Sequence, residues 1–510
     1  MKEKRERIYR YAKFNLDALL ALGEKLRGRP CTCDTTKPPK FGSLNWVVFL
    51  LFDDGIEWVF RSPRTGLSAI LTDESASKML VSEASTLKYL RAHSSIPVPE
   101  VYSYSGSKDN DIGVPYMLQS KATGRALSEY DWADVSREPP GYKLPWPLLP
   151  LSEEDRQAIM RKLGTIMSRL SEIRFEKIGS IFEDGHGDFR IGECLSPSLL
   201  WQWRDSIEGG LDRGPFSTEA EYLKSLISAF TSHAKELVMN PHAFFAPIPE
   251  SLDYPTWESY RTAAGRWNDF IGIGDRIEGS KNRLSYCIAG QFLQDMIPQL
   301  SSTTTGGFTL SHPDLHLGNI FVDEDLNITC IIDWGSATSG PITELLATPG
   351  LAGSSSPPSR AQIDAFGSGF TAEEATKIAP DDWKKGEMMW YFSRLVRLLS
   401  KQDYDLFRVL YELAYDVKDS GSVDYPRLFH DRAQQEDNKQ LFSELQEDDL
   451  AEDEIKKKEE AVFFRAEQKK LDSLAVARKL TLMSEMNTSF VADSRLWRWI
   501  EDALRPTESA

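Results

Sequence analysis

Residues 311–335 read SHPDLHLGNIFVDEDLNITCIIDWG, and three polar side chains in them organise the reading of the whole chain. Asp314 is followed five residues later by Asn319, and Asp333 comes fourteen residues after that. Between the last two, the sequence predicts a hairpin with one strand over 319–323, a turn over 324–327 and a return strand over 328–332. Two short β-rich runs joined by an acidic, Asn-containing turn carry that prediction. Closing the hairpin brings Asp333 back beside the loop that holds Asp314 and Asn319. An acid, an amide and a second acid then converge on one point.

Such a trio suits phosphoryl transfer: one Asp accepts the proton of an attacking hydroxyl, while an Asn and a second Asp offer hard oxygen ligands to Mg²⁺ on the phosphates. The segment resembles the catalytic and metal-binding loops of the aminoglycoside phosphotransferase family, a branch of the protein-kinase-like fold. There the motif runs His-x-Asp-x-x-x-x-Asn and later Ile-Asp-Trp or Ile-Asp-Phe. Here it stands as His312-Pro-Asp314-Leu-His316-Leu-Gly-Asn319, then Ile331-Ile-Asp333-Trp334-Gly335. The resemblance implies Asp314 as the catalytic residue, Asn319 and Asp333 as Mg²⁺ ligands, and ATP as the phosphoryl donor. It makes His312 structural, holding the loop through backbone contacts. His316 either faces the site or is a satisfied buried histidine.

Working upstream, a kinase-like fold needs a cation that grips the phosphates and a Glu on the next helix to hold it. Arg61 ends a strand predicted over 56–61, and Glu83 lies in a helix predicted over 77–92; these are the candidates. Arg stands where Lys is usual, and it stays charged and grips phosphate bidentately. A hairpin joins strands 45–52 and 56–61 through Asp53-Asp54-Gly55, a strong turn signal. Just before it, Gly42-Ser43-Leu44-Asn45 is expected to cover the phosphates; its low glycine content is similar to fungal members of the family. Strands over 101–104 and 114–119 lead into Ser120-Lys121-Ala122-Thr123-Gly124, which looks like the hinge. The resemblance implies that the backbone of Gln119 to Lys121 meets the adenine.

Composition limits the alternatives. A hydrophobic fraction of 41% and a charged fraction of 27% over 510 residues suit a soluble globular protein with a large core. The net charge of −17 argues against broad nucleic-acid binding, which needs a basic face. The longest apolar run, residues 46–52, is too short to cross a bilayer, and no secretory signal follows Met1, so no membrane partner and a cytoplasmic location are expected. Five cysteines at 31, 33, 194, 287 and 330 lack metal-ligand spacing, and Cys330 reads as a core residue in a strand. His312, Asp314 and His316 alternate as a metallohydrolase motif could, but with seven histidines in all no second cluster completes such a site.

The remaining chain reads as mostly helical. Glu153 to Arg174 forms one apolar stripe, residues 139–150 a Pro-rich connector, and residues 176–310 the insert where the family builds its acceptor surface. Gly367-Ser-Gly369 is expected as a turn feeding a helix. Residues 427–505 contain neither Gly nor Pro, which predicts long helices, and the charge run from Asp448 reads as a solvated helix face. The expected architecture is α+β: a two-lobed protein-kinase-like fold with a β-rich N-lobe over 40–121 and a helical C-lobe over 122–425. A helix and linker over 1–39 precede it, and an acidic helical extension over 426–510 follows. The expected activity is ATP/Mg-dependent transfer to a hydroxyl of a small-molecule acceptor. The alternative is an inactive nucleotide-binding scaffold on the same fold. A protein kinase is disfavoured, because His-Pro-Asp replaces His-Arg-Asp and no Ala-Pro-Glu segment follows.

Overall fold

A computed structural model describes the chain except for residues 1–13, 65–69, 133–147, 208, 240, 274, 305, 352–356, 373–377, 452–453, 455–467, 488 and 506–510. The chain groups into two compact units. One comprises the described residues within 14–132, 148–225 and 301–387, and the other those within 226–300 and 388–505.

The first unit begins with an antiparallel sheet of β1 (Cys31–Cys33), β2 (Lys40–Phe41), β3 (Asn45–Phe52), β4 (Glu57–Pro63), β5 (Val101–Ser105) and β6 (Tyr116–Ser120). The order is β1-β3-β4-β6-β5, with β2 on β3. Gly55, at φ +82°, makes the β3–β4 turn that a side chain would strain. Trp46, Val48, Leu50 and Phe52 alternate inward along β3, as the period of two in a half-buried strand requires. Helix α1 (Leu16–Arg27), capped by Asn15 and ended by Gly28 at φ +72°, lays Leu19 on that face. β1 pairs with β3, and α1 shares the sheet's core. The part of the predicted helix before residue 14 and most of the Pro-rich connector lie outside the described residues.

Helix α2 (Asp73–His93) starts at the Thr72 cap, with acids in its first turn and Arg91 and His93 in its last, matching the helix dipole at both ends. Its Leu80, Ala84, Leu87 and Leu90 enter a core shared with Met117, Ile331 and Trp334. Helix α3 (Glu153–Leu170), opened by a Ser152–Asp155 capping box, supplies Ile159, Leu163 and Met167 to the same core.

One expectation fails here. Gly367-Ser-Gly369 is not a turn but the interior of helix Arg360–Ala372. A Cβ on Gly369 would stand 1.9 Å from the Arg161 carbonyl oxygen, and one on Gly164 2.1 Å from that of Phe366. The glycines are there because two helix backbones nearly touch, a reason no local pattern displays.

Short strands finish the unit: β7 (Arg125–Ala126), β8 (Arg174–Phe175), β9 (Ile181–Glu183), β10 (Phe189–Ile191), β11 (Phe308–Ser311), β12 (Ile320–Val322), β13 (Ile328–Ile331) and β14 (Thr338–Gly340). The predicted hairpin is β12–β13, with Ile320 opposite Ile331 and Phe321 opposite Cys330. Asp323 closes its turn by accepting from the Asp325 and Asn327 N–H groups.

In the second unit, helices include Trp257–Gly272, Ser280–Asp295, Asp403–Ala414 and, among the described residues, four after residue 424. The long helices expected over 427–505 are instead Tyr425–Ala433, Glu436–Gln446, Gln468–Met486 and Ser494–Ala503. Asp493 restarts the last of these helices by capping it, so that break needs no Gly or Pro. Asp449, read as part of a solvated charge run, accepts from the N–H and Oγ of Ser280 and so caps helix Ser280–Asp295. Asp403 is nearly fully buried, and takes Tyr286 Oη at 2.6 Å and His242 Nδ1 at 2.9 Å. Among the described residues no helix is long and apolar enough to cross a membrane.

Candidate active site

The loop between β11 and β12 owes its shape to contacts between its own side chains and nearby main chain. Asn319 ends a single 3-10 turn, is almost fully buried, and donates from Nδ2 to the Asp314 carbonyl at 2.9 Å. With Nδ2 spent, Oδ1 remains as a hard acceptor. His312 Nε2 lies 3.0 Å from the Ile332 carbonyl, which only a protonated Nε2 can satisfy. Burial lowers the His312 pKa, so the ring stays neutral, packed edge-on against Trp334 at 4.8 Å. Trp334 itself is fully buried and donates from Nε1 to the Ile331 carbonyl.

After β13 the chain turns through Asp333 at φ +68°, a left-handed conformation that aspartate tolerates better than most residues. The Asp333 carboxylate meets the Arg61 guanidinium, Nη2 to Oδ1 at 2.8 Å. Arg61 Nη1 reaches Glu83 Oε1 at 2.6 Å. One guanidinium from β4 thus joins helix α2 to the end of β13, with Arg61 8% and Glu83 3% exposed.

Two acids share this single cation. Burial, and the Asp333 charge beyond the guanidinium, push the Glu83 carboxyl up to about 7 against the pull of Arg61. The Asp333 carboxyl moves the other way: Arg61 overcomes its burial and holds it below the usual carboxylate value. Opposite shifts follow when the cation cannot fully compensate both charges.

Asp314, Asp333 and Glu83 line one cleft with Leu44, Asn45 and Trp201. Leu44 and Asn45 belong to the 42–45 stretch that the sequence singled out, whereas Trp201 carried no signal there and reaches the cleft only by folding.

The remaining candidates are placed differently. Gly42 and Ser43 sit exposed in the β2–β3 turn, where Gly42 N–H donates to the Asn45 carbonyl and a Cβ on Gly42 would meet nothing within 4 Å. Gln119 has β4 on one side and β5 on the other, so its main-chain groups point at sheet neighbours. The Ser120 N–H goes to the Glu100 carbonyl, and the chain leaves the sheet only at Lys121, whose side chain pairs with Glu57. His316 is exposed rather than buried, its Nδ1 accepting from the Gly318 N–H at 3.0 Å.

The model of the phosphotransferase enzyme family matches residues 277–376, the part that holds Asp314, Asn319 and Asp333. By this segment the chain is similar to that family. Arg61 and Glu83 lie outside the matched residues.

A subtelomeric hrmA-associated cluster protein of Aspergillus fumigatus is 27% identical over 323 residues, covering 59% of this chain and 57% of that protein. Altered inheritance of mitochondria protein 9 of Yarrowia lipolytica is 25% identical over 240 residues, 42% of this chain and 38% of that protein. The chain thus spans little more than half the length of the first relative and less of the second. Among solved structures, a fructosamine-3-kinase homologue from Thermobifida fusca covers 79% of this chain and 98% of its own, at 14% identity and a TM-score of 0.42. A macrolide 2'-phosphotransferase from Brachybacterium faecium covers 79% and 93%, at 15% identity and a TM-score of 0.38.

Proposed function

We propose that the protein transfers the γ-phosphoryl group of ATP to a hydroxyl of a small molecule. The observation that carries this reading is the Glu83–Arg61–Asp333 cluster opening onto the cleft that Asp314 lines. In this reading Asp314 orients the acceptor hydroxyl and takes its proton. Arg61, held on one arm by Glu83, is the cation for the phosphate oxygens.

The donor set suits Mg²⁺, which prefers oxygen and needs only one or two protein ligands beside phosphates and water. Asn319 Oδ1 and the Asp333 carboxylate would hold it. Once bound, it would neutralise developing charge on the phosphates. Catalysis here is mostly positioning and charge stabilisation, so a single misplaced side chain costs orders of magnitude. Five free cysteines fit a reducing compartment.

The test measures Mg-ATP binding and phosphoryl transfer to a panel of sugars, amino alcohols and aminoglycosides, wild type beside Asp314→Asn. Transfer by wild type and its collapse in the variant is the expected result. Absence of Mg-ATP binding to the wild type would overturn the proposal.

A further inference from the structure

Glu83 can hold Arg61 only while α2 keeps one rotation and one height. The face that α2 turns to the core is apolar, built from Leu80, Ala84, Leu87 and Leu90. Apolar contact is non-directional and by itself leaves a helix free to slide or roll at low cost. A charge pair at 2.6 Å is far less forgiving; such a geometry needs side chains held to within about half an ångström by directional neighbours. Something other than the core must fix α2.

Residues 181–206 supply directional contacts along the length of α2. At its start, Asp205 Oδ2 accepts from the N–H of the Thr72 cap at 2.7 Å and from its hydroxyl at 2.6 Å, while Trp203 N–H reaches the Ile70 carbonyl at 2.9 Å. One turn on, Lys78 pairs with Glu193 at 3.2 Å. Past Glu83, the Glu183 N–H donates to Ser85 Oγ at 3.0 Å, and Ser85, fully buried, passes its own hydrogen to the Val81 carbonyl. The Glu183 carboxylate then takes Lys88 Nζ and, at 2.8 Å, the Tyr104 hydroxyl of β5. Between these points Leu195 and Leu200 pack with Leu71 and Met79.

We infer that residues 181–206 act as a buttress that fixes α2, and so positions Glu83 for the ion pair with Arg61. Glu183 and Asp205 are the positioning residues, one at each side of Glu83. This rests on the nucleotide site proposed above, in that the pair is taken to serve phosphate binding.

The test uses the full chain with three single variants, Glu183→Ala, Asp205→Ala and Glu183→Gln, and two readouts. Amide hydrogen exchange follows residues 73–93, and titration measures Mg-ATP affinity. Arg27→Ala, which breaks an exposed ion pair with Asp54, is the control for general loosening of the lobe. Glu183→Ala and Asp205→Ala should speed exchange across 73–93 by about tenfold or more over the control. They should weaken Mg-ATP binding about tenfold. Glu183→Gln keeps the acceptor for Tyr104 and should restore most of both.

Unchanged exchange over 73–93 in both alanine variants would overturn the inference, as would a loosened helix with undiminished Mg-ATP affinity. Should the wild type bind no Mg-ATP, the functional proposal falls, yet the exchange measurement still decides whether the buttress fixes the helix. If one alanine variant fails to fold, the other carries the same test from the opposite end of α2.

Discussion

Residues 311–335 and residues 40–64 both contribute to the cleft, but their side chains are held in opposite ways. In the first stretch Asn319 and His312 find main-chain partners inside the stretch itself, the Asp314 and Ile332 carbonyls, while the Asp333 carboxylate is held from outside by Arg61. In the second, Arg61 pairs with Glu83 22 residues away and Asp333 272 residues away. The local motif shapes itself, and the cation depends on the assembled unit. A change in the first region should therefore strike chemistry and spare the fold, while a change at Arg61 should strike both.

Asp314→Asn gives the sharpest test of that difference. It should cut phosphoryl transfer by about a thousandfold or more, with the urea midpoint nearly unmoved. A large drop in stability would break the comparison. Arg61→Ala should instead cost about 3 kcal/mol of stability, because it leaves two acids near one another without their cation. Arg61→Lys keeps the charge but not the fork, and should cost about 1–2 kcal/mol; urea denaturation of both variants checks the order.

A smaller effect concerns pH. The folded Glu83 carboxyl lies near 7, against a usual 4.5, so the folded state binds a proton that the unfolded chain has released. Its contribution is fully present below about pH 4.5 and is lost as pH rises toward 7. Asp333, shifted downward, contributes above the usual carboxylate value and loses that contribution as the solution is acidified. Denaturant midpoints across pH 4.5 to 7 should fall in the wild type, and Glu83→Gln should flatten the slope by about 1 kcal/mol over that window. The smallest effect belongs to Gly42→Ala: with open space around the new methyl and no positive φ, stability should move by less than about 0.5 kcal/mol.

Much of the first unit was legible because its signals are local. Asp-Gly marked the β3–β4 turn, the continuous apolar run over 46–52 marked a strand read as buried, of which the structure buries alternate residues, and the acidic Asn-containing turn marked β12–β13. Cys330, read as a core strand residue, is 4% exposed. What misled were positions whose role is set by a distant neighbour. Gly369 looked like a loop glycine because the Arg161 carbonyl it clears lies far away in sequence. The stretch after residue 427 looked continuous because caps such as Asp493 interrupt a helix as effectively as Pro does.

By itself, the sequence determined the spacing of Asp314, Asn319 and Asp333, which follows from one turn and one hairpin. Only the tertiary structure decided how charge is shared among them. Whether Arg61 faces one acid or two, how far burial moves Glu83, and what holds α2 against sliding all depend on groups brought together from β4, α2, residues 181–206 and the end of β13. Electrostatic energies depend on distance and burial, and neither exists until the chain has folded.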